Sequence, residues 1–265
     1  MNPQNDIRVR LPAGGVALSE EGGAALWVSD GPVGAGLWER LRVEHPVSGW
    51  WPLLLEALDE ASGEIRPWES GELCPEETGS PDVHDAAELL ESWWREYTAV
   101  DGGQDPLGGE LRAAVTAPYG LEWPGPAPAG RPGADPEEAA DRCAAALVSG
   151  RRGLRLGLVR AVSGARAPAA VGWQGPANYI EDAAEVSAVL ASWEERFGVR
   201  VVGMGFDTLE LSVGAPPATK EEALRVAAEH FALCPDSVWQ VRGGRPLERY
   251  GESLVGAERW SLWWD

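Results

Sequence analysis

The chain has 265 residues, enough to bury a sizeable core without a disulfide or metal staple. Its formal net charge is −20, and residues 1–150 carry 9 Lys and Arg against 27 Asp and Glu, while residues 151–265 carry 13 against 15. Such a field repels phosphate backbones and argues against nucleic-acid binding, whereas it would steer a basic protein partner. Three scattered cysteines, Cys74, Cys143 and Cys234, form no C-x-x-C pair and read as reduced thiols. The first residues show no basic region followed by an apolar run, and no segment nears the ~18 apolar residues of a spanning helix. The expectation is a soluble, cytoplasmic protein without membrane contact.

In chain order, "AALWVSD" (24–30) reads as a strand and "AGLWERLRVEH" (35–45) as a helix with Trp38 and Leu41 on one face. "WWPLLLEAL" (50–58) is a short apolar run that fits a buried strand, although periodicity alone does not separate it from a helix. After a breaker-rich region at 69–85, "HDAAELLESWWREY" (84–97) reads as an amphipathic helix burying Leu89, Leu90, Trp93 and Trp94. The Pro/Gly-rich stretch 118–136 excludes helix and central strand, so it either links two domains or lies as an ordered strap anchored by Trp123. The expected division is an acidic region at 1–117, this strap, and a second α/β region at 137–265.

Beyond the strap, "LRLGLVRAV" (154–162) and "AAVGW" (169–173) are strand candidates. The segment 182–198 places Val186, Val189, Leu190, Trp193 and Phe197 on one helical face, with Asp182 and Glu185 at its start and Gly198 at its stop. In 199–213, Leu209, Leu211 and Val213 alternate with Thr208, Glu210 and Ser212, a half-buried strand. Thr219 and Glu222 form a capping box for a further helix, whose polar arc holds Glu221, Glu222, Arg225 and Glu229. Interleaved strands and helices give an α/β or α+β fold, a mixed sheet with flanking helices.

The candidate chemistry gathers near this last helix. His230 and Cys234 are i, i+4 neighbours, suggesting a base beside a thiolate or two ligands of a metal ion. A catalytic pair usually comes from separate elements, and a zinc site needs at least three protein ligands, so a buried cysteine beside a hydrogen-bonded histidine is the competing reading. Asp207, beside the glycines at 203 and 205, is a candidate acid, base or turn cap, and Asp236 fits the turn after Pro235. Fourteen tryptophans against three phenylalanines supply either core or a ligand-binding wall, with Asn178, Tyr179, Trp173 and Trp239 as candidate binding residues. The terminal "WSLWWD" is too apolar to dangle and is expected to dock as a strand or plug. The common phosphate, dinucleotide, zinc-protease and esterase signatures are absent, and no cofactor or metal is called for.

"GWQGPANY" (172–179), the segment 187–217, "VAAEHFALCPDSVWQ" (226–240) and "WSLWWD" (260–265) resemble the signature of an actinobacterial family called domain of unknown function 4253. "EHPVSGWWPLLL" (44–55) resembles the amino-terminal part of its members. Leu233 stands where the resemblance leads one to expect an aromatic. The family name lends no activity, and whether the protein is an enzyme stays open. The leading expectation is a non-catalytic interaction protein, immunity-like or regulatory, whose acidic half meets a basic partner. The alternatives are a small-molecule hydrolase or transferase using Asp207, His230 and Cys234, and a Trp-lined sensor. Oligomeric state is not legible.

Overall fold

A computed structural model of the chain describes residues 2–58, 65–99, 108–131, 133–240 and 246–265. β1 (Gly14–Leu18) and β2 (Ala24–Pro32) form a hairpin, with Gly22 at φ 82° supplying the left-handed residue its turn requires. α1 (Leu37–Ser48) closes at Gly49, and β3 (Trp50–Leu55) follows at once, buried at every position. That continuous burial is why the run lacks alternation: both faces of the strand are covered. α2 (Ala86–Thr98) is capped by the Asp85 carboxylate and buries Leu90, Trp93 and Trp94, as its spacing predicts, while Leu89, expected beside them, is only partly buried. α3 (Gly108–Val115) and α4 (Pro136–Gly150) complete the first part.

β4 (Arg155–Arg160) is followed by α5 (Ala167–Val171), where the sequence suggested a strand over 169–173. Pro168 in the first turn and Gly172 at φ 63° bracket a single helical turn, and five residues are too few for periodicity to reveal it. α6 (Ala183–Phe197) has Asp182 as its cap and Gly198 at φ 60° as its stop. β5 (Val199–Met204) and β6 (Thr208–Val213) form a hairpin. α7 (Lys220–Leu233) carries the Thr219–Glu222 capping box, and α8 (Asp236–Trp239), α9 (Pro246–Leu254) and β7 (Arg259–Trp263) finish the chain.

All seven described strands join one mixed sheet in the order β1-β2-β4-β3-β5-β6-β7, antiparallel except for the β3–β5 pair. Strands from both sides of the 118–136 stretch share this sheet, with β4 between β2 and β3. The alternation along β7 separates its two faces. Ser261 reaches Glu210, which also binds Arg151 at the end of α4, whereas Trp260 packs edge-on against Trp193 and Phe197 of α6. The expected terminal strand therefore forms, with Trp260 and Trp264 buried and Trp263 at the surface.

The Pro/Gly-rich stretch lies against α6 and α7. Its Trp123 ring sits 5.5 Å from Trp94, Gly130 N–H donates to Arg196 C=O, and Ala134 N–H donates to Gly214 C=O. Glu229, placed on the polar arc by spacing, is instead fully buried beneath it. Its carboxylate accepts from Trp193 Nε1 (2.6 Å), Ala127 N (2.6 Å) and both terminal nitrogens of Arg196 (2.7 and 2.6 Å). A buried carboxylate persists when its lone pairs are satisfied in this way.

Candidate functional site

The end of α7 places His230 and Cys234 on the interior side, and both are 0% exposed. The His230 ring is wedged between Trp193 and Trp260, with centroids at 4.8 and 4.6 Å. Its Nδ1 lies 3.0 Å from Tyr250 Oη, and its Nε2 has no hydrogen-bond partner among the described residues. Burial pushes its pKa down to about 3, so the ring is neutral at pH 7. Cys234 Sγ donates to Trp263 C=O at 3.0 Å and lies 3.1 Å from Ser237 Oγ. Burial raises its pKa to about 12, the reverse of what a thiolate nucleophile needs. The contact the two residues share is the helical bond from Cys234 N–H to His230 C=O.

The other candidates converge on residues 263–265. Asp207 Oδ2 accepts from Trp263 Nε1 (3.1 Å), and its C=O accepts from Trp264 N–H (3.0 Å). Asn178 Nδ2 donates to Asp265 C=O (2.9 Å). Tyr179 Oη donates to Asp236 Oδ1 (3.0 Å), while Asp236 Oδ2 accepts from Asp265 N–H (2.9 Å). Burial, reinforced by Asp236, pushes the Tyr179 phenol up to about 12. Trp173 donates to Gly205 C=O (2.9 Å) and meets the Trp264 ring edge-on at 5.4 Å. Trp239 lies one layer away, stacked on Phe231 at 6.1 Å with Arg112 over its ring.

What the arrangement does is hold chain to chain. Gly172 and Gly175 of "GWQGPANY" serve the same end. A Cβ on Gly172 would sit 2.1 Å from the Cys74 carbonyl carbon, and one on Gly175 would sit 2.0 Å from the Trp173 ring. Among the described residues, no three His, Cys, Asp or Glu side chains are grouped to hold a metal ion. Two open hollows lie elsewhere. One is lined by His45, Pro46 and Gly49 and the other by Pro81, Asp82 and Arg166, and both share Arg160, Ala161 and Val162.

Residues 155–265 match the family model described as domain of unknown function (DUF4253). The match begins with β4 and takes in every candidate residue around the 263–265 clasp, whereas the resemblance at 44–55 lies outside it. No curated protein and no solved structure matches the chain.

Two buried charge clusters were missed by spacing. One is the Glu229–Arg196 knot. The other is Glu210, which is 3% exposed, pairs with Arg151 and accepts from Ser261 Oγ, while Arg151 also holds Glu56 at 2.9 Å. For Glu229 a signal was present: "RVAAEHFAL" is nearly apolar all round, so its one carboxylate needed a buried partner.

Proposed function

We propose that the protein is a non-catalytic interaction protein, immunity-like or regulatory, whose acidic first half meets a basic protein partner. The observation that carries this reading is an acidic ridge assembled from two separate segments. The β1–β2 turn, with Glu20 and Glu21, docks on the loop at 72–77 through Glu20 N–H to Leu73 C=O (2.9 Å) and Ser19 Oγ to Glu76 Oε1 (2.7 Å). Glu20, Glu21, Glu76 and Glu77 are all exposed, and none forms an ion pair with a described residue. Burial and the neighbouring Glu20, Glu77 and Glu76 raise the Cys74 thiol to about 11.

Other carboxylates of the first half are spent internally. Asp6, Glu56, Glu69, Asp82 and Glu137 pair with Arg160, Arg151, Arg155, Arg166 and Arg200 of the second half. The ridge gathers four uncompensated carboxylates at the surface, and such a patch steers a cationic partner over about a Debye length, ~8–10 Å at ordinary salt. The burial of His230 and Cys234 weighs against a nucleophile–base pair at that position. The test is binding of a lysine-rich peptide to wild type and to a Glu20→Lys/Glu76→Lys variant across ionic strength. Affinity that falls with salt and is lost in the variant supports the reading; affinity indifferent to both overturns it.

A further inference from the structure

We infer that the free edge of β1 is a docking site for a basic, extended segment of a partner protein, which adds to the sheet as an eighth strand beside Gly14–Leu18; the inference rests on the basic-partner reading above. The register of the β1–β2 pair decides which backbone groups are free. Asp30 N–H donates to Ala13 C=O and Ser19 N–H to Gly23 C=O, so Ala13, Gly15, Ala17 and Ser19 face β2. Antiparallel alternation then turns the amides and carbonyls of Gly14, Val16 and Leu18 outward. The side chains of Val16 and Leu18 are 36% and 53% exposed, giving the edge an apolar strip beside its unpaired backbone.

The two edges of the sheet are treated differently. At β7, Glu258 and Arg259 place charge at the strand start, and the Trp263 carbonyl is occupied by Cys234 Sγ. β1, with sequence GGVAL, has no charge, no proline and, among the described residues, no covering side-chain bond, which are the usual means of blunting an edge. A strand laid along it ends beside Leu18, directly against Glu20 and Glu21, with Glu76 tied to the same turn through Ser19. Main-chain bonds supply affinity in this mode, and pockets and charges at alternate positions supply selectivity. The charge at the strand's end therefore selects a cationic occupant. It disfavours a second copy of this chain, since two bodies of net charge −20 repel.

The test uses two synthetic peptides of one alternating lysine–valine sequence of roughly seven residues. One is unmodified; the other is N-methylated at alternate amides, with unchanged charge. The unmodified peptide is expected to bind and to slow hydrogen exchange at the Val16 and Leu18 amides of the wild-type chain, a readout independent of any variant's folding. N-methylation, or Val16→Pro, weakens binding by about tenfold or more, because each removes edge hydrogen bonds. Equal binding of both peptides overturns strand addition and leaves the basic-partner reading standing. Binding that needs the free amides but ignores Glu20→Lys/Glu21→Lys overturns the charge argument. A dimer in sedimentation that Val16→Pro dissociates makes the occupant a second copy and overturns the inference, and failure of both peptides to bind at low salt overturns it as well.

Discussion

Glu229 of α7 and Arg196 of α6 form a two-pronged ion pair at 2.6–2.7 Å, and between them they grip both polar groups of one backbone residue, Ala127. Glu229 Oε1 accepts the Ala127 N–H, and Arg196 donates to the Ala127 C=O at 2.9 Å. The segment before α4 is thus fastened to the core by a paired charge as well as by the packing of Trp123 on Trp94.

Glu229→Ala is expected to cost about 3–5 kcal/mol, because it leaves Arg196 and the Trp193 N–H without their acceptor. Replacing both partners by leucine is expected to recover part of that loss, since no lone charge then stays buried. Urea denaturation of the two variants checks this. A loss no larger than that of an exposed Glu→Ala change would refute the role given to the pair.

His230 makes stability depend on pH with a definite sign. The folded state holds the ring neutral, with a pKa of about 3, while the unfolded chain takes up a proton near 6.5. Stability from this source is complete above pH ~6.5 and declines as pH falls toward 3, by up to about 5 kcal/mol. His230→Gln should flatten the slope across that window by about one proton. Denaturation midpoints at several pH values measure it, and an unchanged slope would count against neutral burial.

The thiols should be sluggish. Burial raises Cys143 and Cys234 to about 12, and Cys74 reaches about 11 through burial and its acidic neighbours. Iodoacetamide at pH 7 should leave Cys143 and Cys234 unmodified in the native protein and label all three cysteines in urea. Rapid native labelling of Cys234, read by mass spectrometry, would reopen it as a nucleophile.

Gly172 carries two demands at once, a φ of +63° and a closest approach to the backbone at Cys74. Gly172→Ala is expected to destabilise by about 2 kcal/mol or more and to loosen the 72–77 loop. Thermal melting together with proteolysis of that loop tests both parts. A neutral effect would show that the 74–75 backbone yields.

Local chemistry alone settled the elements whose signals are complete within a few turns. α6 and α7 each announce a cap and an apolar face, so Asp182 and the Thr219–Glu222 box are legible without any partner, and the spacing of α2 shows its buried face. The continuous apolar run of β3 likewise reports that both its faces are covered, whereas the alternation in β6 points to one open face and the structure buries Glu210 and Ser212 as well. α5 misled because one helical turn of alanines has no period to read. Tertiary structure decided the rest. Only packing could bury Glu229, because its partners come from residues 193, 196 and 127, and only the sheet order could place β4 between β2 and β3. The His, Cys, Asp and Asn that stood out as chemistry became partners of residues 250 and 263–265, and Tyr179 of Asp236, for the same reason. Spacing along a chain fixes which side of an element a residue faces, whereas what meets it there is set by the long-range pairing that brings α7, α9 and β7 together.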